Sequence, residues 1–422
     1  MSRVRWDLER GRVVDAYAYN GAVPGPALRV TEGDTVRVRV TNALAEPTTV
    51  HWHGVEVPPS MDGVPGLSQP PIAPGETFTY EFVATRAGTR WYHPHINELA
   101  QTGGGLAGPL IVEPRETSSA VQREYVIVAQ QWPDPSAERP HGGPGESGMS
   151  GMTGDSTGQN DGFTINGKAY PSGAPLVVRQ GERVRLRLIN AGTTATQVFA
   201  LAGHGLVLTH TDGNPLGLPV PVDAVPLGVG ERADVEFVAS NPGRWQLGSI
   251  ASGQAERGLG IDVVYEGHET DAVQFPAVSD VYLADYSVMT GGPLPTARPD
   301  DTVELVLSQD RGSGAWTING ASYPAIEPIE VQPGQRTRFR LVNMSMEDHP
   351  MHLHGHTAQI VAIGDRPVAG PLKDTVTLRH MDSYDLDFVA SNPGRWLFHC
   401  HNLMHMAGMM MEVRYREPQG SR

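Results

Sequence analysis

Apolar and polar residues alternate with a period of two in three long stretches of the chain, which begin at Pro24, Gly173 and Glu327. They read PGPALRVTEGDTVRVRVTNAL, GAPLVVRQGERVRLRLINAGT and EPIEVQPGQRTRFRLVNMS. This alternation is typical of β-strands with one buried face, and the glycine inside each stretch is typical of a tight turn. Each stretch therefore predicts two strands joined by a turn.

The three stretches are copies of one repeating unit. Their turn glycines, Gly33, Gly181 and Gly334, stand 148 and 153 positions apart. Each copy closes with a related phrase, FVATRAGTRWYHPH, FVASNPGRWQLGSI or FVASNPGRWLFHCH. A repeat of this length predicts three β-sandwich domains, which we place at residues 1–115, 116–270 and 271–422. Histidines follow the tryptophan in the first and third copies only, so they serve something other than the fold.

The composition supports an all-β chain and excludes some functions. The 49 glycines and 35 prolines among 422 residues favour turns over long helices. The formal net charge of −15 opposes binding to nucleic acid. No apolar run is long enough to span a bilayer, and no secretion signal is visible. Residues 134–162 are rich in Gly, Ser and Met and predict a mobile surface loop.

Four short segments hold paired histidines: HWH at 51–53, HPH at 93–95, HLH at 352–354 and HCH at 399–401. Residues i and i+2 of a strand project from one face, so each segment offers two imidazoles to one point. Imidazole suits copper, zinc, iron or nickel, and thiolate or thioether ligands shift the choice toward copper. Eight imidazoles are too many for one ion, so the pattern predicts a polynuclear centre.

The single cysteine, Cys400, stands between two of these histidines. In a strand it faces away from His399 and His401, so one strand can serve two sites on opposite faces. We predict a second, mononuclear site formed by Cys400, His349 and His405 with a more distant methionine. A thiolate, two imidazoles and a weak axial thioether make a blue-copper electron-transfer site.

The four segments resemble the signature segments of the multicopper oxidases, the laccase family, and the resemblance extends over essentially the whole chain. It implies three consecutive cupredoxin-like Greek-key β-sandwich domains. It also implies four coppers per chain: one type 1, one type 2 and two type 3. In such a protein the trinuclear copper cluster lies between the first and third domains, and the middle domain, which has no ligands, is a spacer.

The resemblance assigns the ligands residue by residue. The type 1 ligands are His349, Cys400 and His405. The type 2 ligands are His51 and His352. The type 3 ligands are His53, His93, His95, His354, His399 and His401. Counted without gaps, the axial position falls on Met410, but Gly408 stands one place earlier than in relatives, so Met409 is a rival.

Reduction of O2 consumes protons, so acidic residues near the cluster are candidates for proton transfer. Asp62, eleven residues after His51 in the phrase MDG, matches a carboxylate that relatives place near the type 2 copper. The alternative is a polar turn residue before Gly63. Bacterial relatives often have a glutamate after the last histidine, where this chain has Met406, and Glu98 is a possible substitute.

The implied activity is an oxidase with Cys400, His405 and Asp62 as its catalytic residues. A small-molecule donor gives single electrons near His405, Cys400 leads them to the trinuclear cluster, and O2 is reduced to water. The donors are phenols or aryl amines, as in a laccase, or Cu(I), as in a metallo-oxidase of copper tolerance. Methionines near the type 1 site, such as Met344 and Met346, favour Cu(I) because thioether is a soft ligand.

Two other functions are less favoured by the same residues. A copper nitrite reductase shares the type 1 site but does not need four paired-histidine segments. A non-catalytic copper-binding protein would be expected to have lost ligands, whereas every ligand position is filled here. The resemblance further implies export to the periplasm or beyond.

Overall fold

The computed structural model describes residues 1–9, 11–116, 120–132, 162–277 and 281–416. Strands dominate these residues, and their two helices are short, the 3-10 helix Pro59–Met61 and α1 (Glu98–Gln101). The all-β prediction is therefore confirmed. The segment predicted as a mobile loop at 134–162 lies outside the described residues except for Gly162. Neither helix has the length or apolarity of a membrane span.

The first part of the chain forms a hairpin and a small sandwich, called here the first sandwich. Its strands are β1 (Ser2–Glu9), β2 (Arg12–Ala18), β3 (Leu28–Thr31), β4 (Thr35–Thr41), β5 (His51–His53), β6 (Thr77–Val83), β7 (Gly88–His93) and β8 (Gly108–Glu113). β1 and β2 form the hairpin, and the two facing sheets have the orders β3-β8-β7-β5 and β4-β6.

The middle sandwich consists of eleven strands among the described residues. They are β9 (Arg123–Trp132), β10 (Gly162–Ile165), β11 (Leu176–Val178), β12 (Arg183–Asn190), β13 (Gln197–Leu201), β14 (Leu206–Thr211), β15 (Asn214–Val222), β16 (Ala224–Leu227), β17 (Arg232–Val238), β18 (Arg244–Ser249) and β19 (Gly260–Tyr265). One sheet has the order β10-β9-β12-β17-β14-β15, and the other has the order β11-β19-β18-β13-β16.

The third sandwich repeats this plan. Its strands are β20 (Asp301–Gln309), β21 (Trp316–Ile318), β22 (Ile329–Val331), β23 (Arg336–Asn343), β24 (His349–Leu353), β25 (Ala358–Ile363), β26 (Arg366–Pro367), β27 (Leu372–Lys373), β28 (Thr375–Leu378), β29 (Ser383–Val389), β30 (Arg395–Cys400) and β31 (Met410–Tyr415). One sheet has the order β21-β20-β23-β29-β25-β26, with β27 also beside β25, and the other has the order β22-β31-β30-β24-β28.

An asparagine closes the same alternating strand in all three sandwiches, which explains why the sequence repeat ends in Asn. Asn42 follows β4, and Asn190 and Asn343 end β12 and β23. Each side-chain amide donates to two main-chain carbonyls, and its oxygen accepts from the N–H two residues further on. The asparagine thereby satisfies backbone groups that the strand leaves unpaired where it turns away from the sheet.

The first and third sandwiches share one hydrophobic core, and the middle sandwich has its own. The shared cluster joins Val36 and Tyr80 of the first sandwich to Phe339 and Phe398 of the third. Alternation drives this burial: in β23 every second residue is buried. Continuous burial of apolar surface across two sandwiches fixes their relative position, and the paired-histidine segments lie at their junction.

Candidate copper sites

Strands β24 and β30 lie side by side and carry residues of both predicted sites. Met351 lies opposite Cys400 in their pairing, and His352 lies opposite His399. Directly opposed residues of an antiparallel pair project to the same face. Cys400 and Met351 therefore point to one side of the sheet, and His352 and His399 point to the other. The parity argument made from the HCH segment agrees with this register.

The predicted mononuclear site is compact and buried. Cys400 Sγ lies 3.6 Å from His349 Nδ1 and 3.8 Å from His405 Nδ1. The two imidazole nitrogens are 3.2 Å apart. Burial lowers the pKa of His349 to about 3 and that of His405 to about 2, and it raises the pKa of the Cys400 thiol. The imidazoles are therefore neutral, and a metal ion must displace the thiol proton to bind.

The register also bears on the axial methionine. Met410 lies opposite His399 in the pairing of β30 with β31, so its side chain projects away from the face of Cys400. Met409 is fully buried, its carbonyl accepts a 2.9 Å hydrogen bond from Cys400 N, and it belongs to the same hydrophobic cluster as Cys400. The register thus disagrees with the assignment of Met410 and favours its rival, Met409.

The eight paired histidines converge between the first and third sandwiches. The ligand atoms lie within 4.8 Å of one another in three trios: His51, His352 and His354; His51, His53 and His93; His95, His354 and His399. His51 Nε2 lies 3.4 Å from His352 Nε2. His399 Nε2 lies 3.0 Å from His354 Nε2 and 3.4 Å from His95 Nε2. All eight side chains are buried.

The hydrogen bonds of the ring nitrogens show whether these residues fit a metal cluster, because a ligand nitrogen must be free of other partners. Four rings donate Nδ1–H to a main-chain carbonyl at 2.8–3.0 Å: His51, His93, His352 and His399. Among the described residues no hydrogen-bond partner is present for His53 Nδ1, His93 Nε2 and both nitrogens of His401. Unpaired buried nitrogens are costly, and a metal ion would satisfy them. An all-imidazole centre beside a thiolate site fits copper.

Asp62 contacts two of the paired histidines. Its Oδ2 accepts a 2.9 Å hydrogen bond from His354 Nδ1, and its Oδ1 lies 3.2 Å from His51 Nδ1. Gly63 follows with a φ of +81°, and a Cβ there would meet the Val50 carbonyl at 1.9 Å. Asp62 is thus both a turn residue and a contact of two site histidines, so the two interpretations made from the sequence do not exclude each other.

Glu98 begins α1 and faces the first sandwich's HPH segment. Its Oε1 lies 3.1 Å from His95 Nδ1, and its Oε2 lies 3.7 Å from His93 Nδ1. Burial raises the pKa of Glu98 to about 8. Its position beside two site histidines supports its candidacy as a replacement for the carboxylate missing at Met406, and its proton-transfer role stays a prediction.

Sequence reasoning missed a third carboxylate at the site, Asp374. Its Oδ1 lies 3.2 Å from His53 Nε2 and 3.5 Å from His352 Nδ1, and its carbonyl accepts a hydrogen bond from His352. Asp374 comes just before β28, in the segment PLKDTVTL, which contains no histidine or glycine that would mark a site. The contact arises from the pairing of β24 with β28, in which His352 lies opposite Thr375.

A surface pocket of about 930 Å³ opens beside the mononuclear site. His405 and Trp316 form part of its wall, and the Trp316 ring lies 4.0 Å from the His405 ring, centroid to centroid. The middle sandwich contributes a further wall through residues 194–196. Met344 and Met346 line the rim, with 55 % and 77 % of their surface exposed.

The remaining histidines have other contacts. His204 and His356 each bond a tyrosine hydroxyl at 2.6 Å, and His268 pairs with Asp271 on the surface. These are contacts typical of structural and surface histidines. His141 lies outside the described residues.

Comparison with known proteins identifies the relatives of this chain. Three sequence profiles described as multicopper oxidase match residues 1–117, 123–259 and 296–419. The chain is 33 % identical to multicopper oxidase MmcO of Mycobacterium tuberculosis, over 96 % of this chain and 84 % of that protein. It is 29 % identical to laccase-2 of Botryotinia fuckeliana, over 97 % and 80 %.

The fold agrees with these relatives. The structure of a multicopper oxidase from Pseudomonas thermotolerans superposes with a TM-score of 0.77 at 30 % identity, and the match covers 98 % of this chain and 97 % of that one. The profile matches together cover most of the chain. The chain therefore belongs to the multicopper oxidases, a family of copper-dependent oxidoreductases built from three cupredoxin domains.

Proposed function

We propose that this protein oxidises small donors one electron at a time at a type 1 copper and couples this to the reduction of O2 to water at a trinuclear copper cluster. The observation that carries the proposal is the register of β30. Cys400 Sγ faces His349 and His405, whereas His399 and His401 on either side belong to the opposite, eight-histidine centre. One strand therefore links the two centres through covalent bonds.

The resemblance to the multicopper oxidases supplies the ligand assignment, and these positions support it. His349, Cys400, His405 and Met409 would hold the type 1 copper. His51 and His352 would hold the type 2 copper. The type 3 pair would be held by six residues: His53, His93, His95, His354, His399 and His401. Four bound coppers would accept single electrons from the donor and pass four electrons to O2.

The chain's own residues prepare both centres. Hydrogen bonds to the far nitrogens orient the imidazoles, and Asp62 holds His354 at Nδ1. Burial lowers the pKa of His93 and His399 and thereby keeps these rings neutral. Proton delivery by Asp62 at the type 2 side is part of this proposal. His405 lies in the wall of the pocket, which makes it the residue through which electrons enter.

Phenols and aryl amines are the donors that we propose first. The pocket beside His405 is large enough for a single aromatic ring with substituents, and the Trp316 ring offers a stacking surface. Outer-sphere transfer needs only that the donor come close to His405. Similarity to laccase-2 supports the same donor class.

Cuprous oxidation is the second candidate, and the exposed methionines favour it. Met344 and Met346 present thioethers at the pocket rim, and Glu347 and Asp348 add carboxylates beside them. Soft thioether ligands suit Cu(I), and carboxylates attract a cation. Export from the cytoplasm, as implied by the resemblance, is part of either proposal.

The decisive experiment loads the purified full chain with copper and measures metal content, visible absorption and EPR. We expect four coppers per chain, an intense blue absorption, and both type 1 and type 2 signals. O2 uptake with a phenol and, separately, with Cu(I) then ranks the two donor classes, with metal-free protein as the control. One copper per chain with a type 1 signal and no O2 uptake would disprove the trinuclear assignment.

A further inference from the structure

Six buried charged side chains meet where the three sandwiches join. The cations are Arg90 of the first sandwich, Arg232 of the middle sandwich and Lys373 of the third. The carboxylates are Asp212 and Glu231 of the middle sandwich and Asp374 of the third. At most 4 % of any of these residues is exposed. Three positive and three negative charges balance, so the cluster is neutral as a whole.

Arg232 and Asp374 form the centre of this cluster. The guanidinium binds the carboxylate with two parallel hydrogen bonds, Nη1 to Oδ1 at 2.7 Å and Nη2 to Oδ2 at 2.5 Å. Two-point binding of this kind fixes the carboxylate plane as well as its charge.

Other residues of the middle sandwich hold the backbone around Asp374. Asp212 Oδ2 accepts from the main-chain N–H groups of Asp374 and Thr375, at 3.3 and 3.1 Å. Lys373 Nζ lies 3.1 Å from Asp212 and 3.0 Å from Glu231. The middle sandwich therefore holds both the backbone and the side chains at the start of β28 in place.

The clamped carboxylate determines which nitrogen of His53 can bind a metal. Asp374 Oδ1 lies 3.2 Å from His53 Nε2, and Thr375 Oγ1 lies 3.0 Å from the same nitrogen. Asp374 Oδ1 already accepts from Arg232 Nη1 and from Thr375 Oγ1. The threonine hydroxyl uses its proton in that bond, so both oxygens are acceptors toward His53, and the ring carries its proton on Nε2. The other nitrogen, Nδ1, is left without a hydrogen-bond partner among the described residues. His51, His93, His352 and His399 have the reverse arrangement, with Nδ1 bonded outward.

Energetics argue that this cluster does more than join domains. Burying six charges is expensive, and a junction of well-packed apolar residues is often as stable. In some proteins, buried ionic groups fix one geometry among several. Here the cluster contacts the imidazole of His53.

We propose that Arg232 is a positioning residue for the trinuclear site: it holds Asp374 so that His53 presents Nδ1 to the metal. The middle sandwich then fixes the geometry of a centre to which it gives no ligand. The resemblance, in contrast, implies that this sandwich is only a spacer. The inference rests on the proposed function, because His53 is taken as a copper ligand.

The test uses the full chain with the double substitution Arg232→Met and Asp374→Leu, which removes both charges and keeps the cluster neutral. The matched control is Arg187→Met with Asp234→Asn. This pair is also a buried Arg–Asp contact between β12 and β17, at 3.0 Å, and it touches the first sandwich through Thr89. The control pair contacts none of the site histidines within the described residues.

The first readout is the tautomer of His53 in the metal-free protein, measured by long-range proton–nitrogen NMR of labelled histidine. We expect the Nε2–H form in the wild type and the control, and a substantial Nδ1–H population in the test variant. The second readout is copper retention. We expect trinuclear copper affinity to fall about 10- to 100-fold in the test variant, with the blue absorption unchanged.

A folded test variant that keeps the His53 tautomer and all its copper would overturn the proposal. If that variant does not fold, Arg232→Lys replaces it: the charge remains but the two-point contact is lost, and the same weakening of trinuclear copper is expected, against full retention if Arg232 is merely structural. The tautomer is read without metal. Failure of the wild type to bind trinuclear copper would therefore count against the proposed function, whereas an unchanged His53 tautomer in the test variant would count against the role of Arg232.

Discussion

The sheet β11-β19-β18-β13-β16 of the middle sandwich has the same strand order as the sheet β22-β31-β30-β24-β28 of the third. The registers correspond as well. Phe199 lies opposite Ser249 in the middle sandwich, as Met351 lies opposite Cys400 in the third. Ser249 therefore occupies the position of Cys400. One sandwich has a predicted metal site at this position, and the other has a hydroxyl.

The other two ligand positions differ in the same way. Gln197 begins β13 opposite Leu227, as His349 begins β24 opposite Leu378. Gln254 follows Ser249 by five residues, the spacing of His405 from Cys400. Three polar residues, called here the polar trio, thus replace the predicted ligands: Gln197, Ser249 and Gln254.

Contacts within the polar trio show what replaces a metal. Ser249 Oγ donates to Gln254 Oε1 at 2.7 Å, and Gln254 Nε2 donates to the Thr196 carbonyl at 2.8 Å. The Gln197 amide is fully buried with no partner among the described residues. In the middle sandwich, hydrogen bonds therefore join two of the three residues that replace the predicted ligands, and the fold accommodates either set of side chains.

The largest expected effect is a loss of type 1 copper that occurs at Cys400 and not at the equivalent Ser249. Cys400→Ser should abolish the blue absorption and the oxidation of every donor, because no thiolate remains to form the type 1 site. Ser249→Ala, at the matching position, should leave both unchanged. Visible spectra and O2 uptake of the two variants measure this. Residual blue colour in Cys400→Ser would contradict the type 1 assignment.

A gain of metal is the second expectation. The triple substitution Gln197→His, Ser249→Cys and Gln254→His should give the middle sandwich a ligand set like that of the third. We expect one additional copper per chain and a second blue component, measured by metal analysis and EPR. Ser249→Cys alone serves as the control and should add neither. A folded triple variant with unchanged copper content would show that the framework itself differs at this point.

The smallest expected effect concerns a corner that both sandwiches share. Tyr265 accepts from Asn241 N at 3.2 Å, and Tyr415 accepts from Asn392 N at 3.1 Å. Each hydroxyl also bonds a histidine, His204 or His356, at 2.6 Å. Removing either hydroxyl leaves the same groups unpaired in both sandwiches.

Tyr265→Phe and Tyr415→Phe should therefore each cost about 1–2 kcal/mol of unfolding free energy. The two losses should be similar, as measured by denaturant unfolding. Tyr282→Phe, at a half-exposed ring, is the control and should cost nothing measurable. A much larger loss at Tyr415 would show that the corner of the third sandwich supports the neighbouring metal site in a way that the middle one does not.

Much of the fold follows from local pattern. Period-two alternation predicts β4, β12 and β23, and the repeat predicts three sandwiches. The positions of the histidine pairs follow from strand parity, since it depends only on neighbours in sequence. Met410 shows the limit of such counting: a difference of one residue in the loop after His405 moves the thioether to the other face, and only the pairing of β30 with β31 reveals this.

Contacts between distant parts of the chain could not be predicted in this way. Asp374 approaches His53 across 321 positions, and its partner Arg232 comes from a different sandwich. Neither residue stands in a recognisable motif. Their meeting depends on how three sandwiches dock, which is set by packing of surfaces rather than by any local period.

The sheet that carries β24 and β30 has a consequence for how the enzyme can change. Cys400 faces one side of this sheet, and His352 and His399 face the other. Under the proposed function, electrons would cross the sheet along β30, and the donor and O2 would react at separate places. The choice of donor would then be independent of oxygen chemistry. Substitutions around Met344 and Trp316 would alter which compounds are accepted and leave the eight-histidine centre unchanged.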